Sequence, residues 1–170
     1  LTRDLGRLGF DTLLLLPSPQ QTELDPASEK KQENIDAFRR QFAERIVKLG
    51  DAKLQEGGFK LLLAQGTSAA WAANLITSEQ LPAPDALVLL DGFFPNQLSN
   101  QTLAKQVAQA SIPTLDLYQE DGGRWPLLAA EARQSESRRS HKLNYRPYAL
   151  MELGETPGRI QGWLTHLGWI

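Results

Sequence analysis

The chain has no cysteine, one methionine, two histidines and no long apolar run. Without cysteine there is no disulfide framework, no thiolate nucleophile and no cysteine-ligated metal, and the composition fits cytoplasm or periplasm equally. No stretch approaches the roughly 18 consecutive apolar residues that span a bilayer, so no membrane span is expected. The start, Leu1-Thr2-Arg3-Asp4, lacks the pattern of a signal peptide. Basic excess is missing too: the formal net charge is -2, which leaves no field for phosphate backbones, and no nucleic acid partner is expected. No P-loop, no Gly-x-Gly-x-x-Gly fingerprint and no metal-ligand spacing is present, so no cofactor and no metal are expected.

What the sequence does have is enough apolar residues, 41% of 170, for one domain spanning 1–170. Leu5 and Leu8 on one face, with Gly9 as a C-cap, read as the last turns of a helix, and the chain as a piece of something longer. Asp11 to Pro17 is a short, nearly continuous apolar run, the pattern of a strand buried on both faces. Ser18 to Gln32, with two prolines and the Glu29-Lys30-Lys31 charge run, reads as a surface loop. Ile35, Phe38, Phe42, Ile46 and Leu49 recur at helical spacing, predicting an amphipathic helix from about 33 to 50.

Strands are then expected at Lys60 to Ala64, Asp85 to Asp91, Ile112 to Tyr118 and Leu143 to Glu152. Pro147 suits the last of these to a sheet edge. Helices are expected at about 67 to 78, around Leu103 and Val107, from Leu127 to Ser140, and from Thr156-Pro157 to Leu167. Alternating strands and helices predict an α/β fold, a largely parallel sheet with flanking helices and five strands in all.

The centre of the pattern is Phe59 to Ala73, where an apolar run stops at a turn of small residues and an alanine-rich helix follows at once. Strand, sharp turn and closely packed helix are the parts of a nucleophile elbow. Two registers compete. If Leu62-Leu63 end the strand, Ala64 and Ser68 are the flanking small residues and Gly66 holds the nucleophile position. In the other, Gly66-Thr67-Ser68-Ala69-Ala70 puts Ser68 at the tip and makes Gln65 a buried strand residue. The first is preferred, because an unpaired amide inside an apolar strand costs about 1–3 kcal/mol.

The element order, the elbow, a strand opening Ile112-Pro113 and ending in an acidic loop at Asp121, and an apolar final helix together resemble the carboxyl-terminal two-thirds of an α/β-hydrolase. The tighter resemblance is to an uncharacterised α/β-hydrolase-like family of exported gammaproteobacterial proteins with a degenerate elbow. That resemblance implies a periplasmic location, and an acid at Asp121 with a histidine after the last strand. Leu153-Gly154-Glu155-Thr156-Pro157 has no histidine, and His141 and His166 fall elsewhere, so both read as structural or surface residues. Asp91 and Asp121, at the ends of neighbouring strands, are a weaker candidate pair, and Gln65, Gly66, Thr67, Asp91 and Phe93 are candidate pocket residues.

Two functions follow: a binding or interaction module whose triad is lost, or an acyl-ester hydrolase using Ser68 and Asp121 with a base from His141 or from outside this sequence. The α/β-hydrolase strand order also implies earlier strands that these 170 residues lack. Either another segment fills that gap or the strands pair directly and leave a half-bare sheet that demands a partner, so a sheet completed by an amino-terminal segment of the same protein or by a second copy is expected.

Overall fold

The computed structural model describes residues 2–15, 32–53 and 58–170. It contains helix α1 (Thr2–Arg7), α2 (Gln32–Lys53), strand β1 (Leu61–Gln65), α3 (Thr67–Thr77), β2 (Ala86–Leu90), α4 (Gln97–Gln109), β3 (Thr114–Gln119), α5 (Arg124–Arg139), β4 (Tyr145–Leu150), a 3-10 turn (Leu153–Glu155) and α6 (Thr156–His166). The four strands form one parallel sheet in the order β1-β2-β3-β4. Each β-α-β step is the only short route between adjacent parallel strands, so the alternating sequence pattern leads directly to this topology.

Among the described residues the sheet is four-stranded where five strands were expected. Residues 11–15 lie outside any ladder, with Leu13 40% and Leu14 68% exposed, so this run is not the buried first strand its composition predicted. An apolar run needs a partner edge as well as a pattern. Leu16 and Pro17 fall outside the described residues, as does the predicted loop up to Lys31; Gln32 instead opens α2.

Side-chain alternation sorts the strands between two cores. Leu87 and Leu89 join α2, α3 and α4 through Ile35, Phe38, Phe42, Trp71 and Leu103. Val88, Leu90, Leu115 and Leu117 join Leu5 of α1 and Ile160, Trp163 and Leu164 of α6 on the other face. β2 is buried throughout, whereas β1 at the open edge is half-buried and Gln65 is exposed. Pro147 lies on β4, the opposite edge, where a missing N–H is tolerated.

A buried polar network centres on Arg133 and Asp116. Arg133, 1% exposed, donates from Nε and one Nη to the two carboxylate oxygens of Asp116 at 2.7 and 2.9 Å, and from the other Nη to Gly92 O at 2.7 Å. The Tyr145 hydroxyl donates to the same carboxylate. Burial first, and then the Asp116 charge, raise the Tyr145 pKa and keep that phenol protonated. The network joins α5, β3, β4 and the turn after β2.

Removing one member of a buried pair strands the other charge. Arg133→Met is expected to lower stability by about 3–5 kcal/mol in urea unfolding. Tyr145→Phe removes one hydrogen bond to a charged group and is expected to cost less, about 1.5–3 kcal/mol.

Candidate functional site

The β1–α3 connection is a single residue. β1 ends at Gln65, α3 begins at Thr67, and Gly66 between them sits at φ 61°, ψ -137°. That backbone is close to a region that only glycine enters without strain. The turn is held on three sides: Gly66 N–H donates to Leu90 O at 2.8 Å, while Gly66 O accepts from Ala69 N–H at 3.1 Å and Phe93 N–H at 3.4 Å. A Cβ built on Gly66 meets nothing within 4 Å, so a side chain at this position would stand in open space.

Close packing beneath the turn explains the small residues around it. A Cβ on Gly92 would come within 3.1 Å of Ala69 Cβ, and Ala69 and Ala70 are buried. Larger side chains at 92 or 69 would push the β2–α4 turn off α3.

The strand register brings several candidates to one edge. Gln65 pairs with Leu90, and Leu90 with Leu117, so Gly66, Thr67, Asp91, Phe93 and the loop after Gln119 share the carboxyl side. Asp91 is buried, adopts φ 49°, and accepts a hydrogen bond from Gln119 N–H at 2.8 Å through Oδ1. Burial raises its pKa; the Gln119 N–H and the Arg133 charge oppose this, and the charges of Asp116 and Asp121 reinforce it. Asp121 itself is exposed in the loop, and Phe93 is half-buried.

Ser68 lies in the first turn of α3, half-buried, and not at the tip of the connection. Gln65 does belong to the strand, two residues beyond the end assumed for the preferred register, but as an exposed terminal residue it escapes the burial cost that counted against it. His141 precedes β4, is exposed, and its Nδ1 lies 3.2 Å from Arg138 O. That is the amino side of a sheet whose strands are about 17–20 Å long, so it stands across the sheet from Gly66. His166 is exposed at the end of α6, which leaves the carboxyl side at Thr156 and rises about 1.5 Å per residue away from it.

Sequence reading passed over the Asp116–Arg133–Tyr145 network. Its only signal was an aspartate within an apolar strand, which demands a buried cation. It also missed Lys142, whose amine donates to the carbonyls of Ala110 and Ile112 and is pushed down to about 8 by burial. Lys142 ties the end of α4 to the start of β4, on the side away from Gly66.

Two clefts open elsewhere. One of about 580 Å³ is lined by Arg39, Arg40, Glu44, Lys48 and Gln80, beside α2, and one of about 360 Å³ lies between α4 and α5 near Lys105 and Glu136. Among the described residues no cluster of His, Cys, Asp or Glu is arranged to hold a metal, and no helix is long and apolar enough to cross a membrane.

Two substitutions test this edge. Gly66→Ala places its methyl in open space, so its whole cost is backbone strain, expected at about 1–3 kcal/mol in thermal or urea unfolding. Asp91 has a raised native pKa, so its contribution to stability is full below the unfolded value near 3.8 and is lost as pH rises through the native one. Asp91→Asn keeps the acceptor for Gln119 N–H and suits positive φ. Its urea midpoint should match the parent near pH 3.5 and exceed it at pH 7.

No curated protein and no solved structure matches the chain. A family model does, one described as "protein of unknown function (DUF3530)", and it covers residues 16–169, from the end of the apolar run through α6. A match of that extent makes this chain a member of the DUF3530 family.

Proposed function

We propose that this protein is an α/β-hydrolase-like binding or interaction module of the bacterial periplasm that has lost covalent catalysis. The observation that carries this reading is Gly66: the strained residue between strand and helix, with open space where a nucleophile's side chain would project, has no side chain. A second observation supports it. Both histidines lie away from that edge, and a serine hydroxyl without a positioned base is barely nucleophilic at neutral pH. The competing reading, an acyl-ester hydrolase using Ser68 and Asp121, needs Ser68 at the turn's tip, whereas Ser68 is already a helix residue. The same proposal includes a sheet that is completed at β1, by an amino-terminal segment of the same protein or by a second copy.

Labelling with a fluorophosphonate probe, with Ser68→Ala as the control, tests the catalytic half. Folded protein is expected to take up no probe in a Ser68-dependent way. Stoichiometric labelling that disappears in Ser68→Ala would make this a serine hydrolase and end the binding-module reading.

A further inference from the structure

Charge is divided unevenly along this chain. Its formal net charge is -2, yet residues 97–115 hold one lysine and no acid, and residues 137–151 hold three arginines, one lysine and no acid. The fold brings these two stretches together. α4 and α5 pack side by side, and Lys105 and Arg139 line the same cleft of about 360 Å³ between them. Glu136, in that cleft, is held by Arg139 at 2.8 Å, and Arg138 beside it is exposed. A helix dipole accounts for cations in the last turn of α5, but not for Lys105 on α4 or Arg146 on β4.

One apolar side chain stands out of this basic surface. Leu143, 85% exposed, is the most exposed large apolar residue among those described. The turn that carries it is pinned on both sides. Lys142 N–H donates to Ser137 O at 2.9 Å, and the Lys142 amine donates to the carbonyls of Ala110 and Ile112. Asn144 Nδ2 donates to Ser111 O at 2.6 Å, and Asn144 O accepts from Thr114 N–H at 2.9 Å. These bonds fix the residues flanking Leu143 and leave its side chain in solvent. Arg146 donates through Nη1 to Leu143 O at 3.0 Å, which sets a guanidinium beside the leucine. Because β3 opens at Thr114 and β4 at Tyr145, this surface lies on the amino side of the sheet, across from Gly66.

We infer that this face docks on an anionic lipid surface, with Leu143 entering the boundary between headgroups and acyl chains and Lys105, Arg138, Arg139 and Arg146 meeting the headgroup phosphates. The combination selects the partner. Cations alone would suit any polyanion through charge complementarity. A specific protein partner calls for a cluster of apolar anchors that become buried at its centre, and here a single leucine projects among cations. A lipid surface needs only a shallow apolar insertion with positive charge around it. The carboxyl edge at Gly66 then faces away from the lipid and stays open to solvent.

Vesicle sedimentation tests this. The chain is expected to sediment at low salt with vesicles of about two-thirds phosphatidylcholine and one-third phosphatidylglycerol, to stay in solution with phosphatidylcholine alone, and to be released by salt of about 0.5 M. Lys105→Gln with Arg138→Gln should weaken binding about 25-fold, roughly fivefold for each charge near the surface. Leu143→Ser should weaken it about tenfold and leave its salt dependence unchanged. All three side chains are exposed, so these variants should fold as the parent does. Arg124→Gln with Met151→Ser, both exposed on the carboxyl side, is the control and should bind as the parent does. Binding to soluble polyglutamate that matches vesicle binding and ignores Leu143→Ser would replace the lipid with an acidic polypeptide. No binding to the phosphatidylglycerol vesicles, or an equal loss in the control pair, would overturn the proposal. Probe labelling at Ser68 reads the opposite side of the sheet, so the two ideas fail separately.

Discussion

The Arg133–Asp116 pair is the constraint on which the carboxyl edge depends. Burying either group alone costs several kcal/mol, and the pair is tolerable because each polar atom has a partner: both Asp116 oxygens and Gly92 O take up the guanidinium's planar donors, and the Tyr145 hydroxyl donates to Asp116. The geometry then passes along the backbone. Gly92 is fixed by Arg133; Asp91 before it accepts from Gln119 N–H, and Phe93 after it donates to Gly66 O. A cation on α5 thus positions a turn two strands away. The arrangement is specific because a guanidinium has few ways to satisfy a carboxylate and a carbonyl together.

Against that rigid frame, the Gly66 turn is a strained conformation kept without a reactive side chain. Strain of this kind persists only where the surroundings over-determine it, and four backbone hydrogen bonds do so here. Glycine makes the conformation cheap, so its stability cost does not require a catalytic return. The open space above it and the carboxylate of Asp91 beneath the edge are features of a surface that can be approached closely. This is the region where open parallel sheets receive ligands, at the carboxyl ends of their strands.

The sequence was most informative where periodicity and local turn chemistry act together. The strands at 61–65 and 86–90 and the long helix from Gln32 were legible because leucines, alanines and phenylalanines repeat at the period each element imposes. The Gly66 turn was legible as a place. Gln65 was misjudged because a strand's last residue can stay in solvent, a tertiary fact that no local pattern carries. Asp11 to Leu15 failed for a related reason: its composition is that of a buried strand, but pairing depends on a neighbouring edge that the run itself does not encode. Asp116 and Arg133 lie 17 residues apart on different elements, and nothing in either neighbourhood announces the other.

The two edges of the sheet carry different instructions. β4 ends the ladder by chemistry, with Pro147 withholding a donor and Arg159 stacked over Tyr148 at 3.6 Å on the outer strand. β1 ends it by absence. Its leucines feed both cores yet stay half-buried. Helix α2 buries Ile35, Phe38 and Phe42 in the core that α3 shares with β2 and α4. In a parallel sheet a doubly covered position is an interior one, because helices on both faces belong with strands that have neighbours on both sides. β1 thus gives leucines to the cores on both faces of the sheet while pairing with a strand on one side only among the described residues.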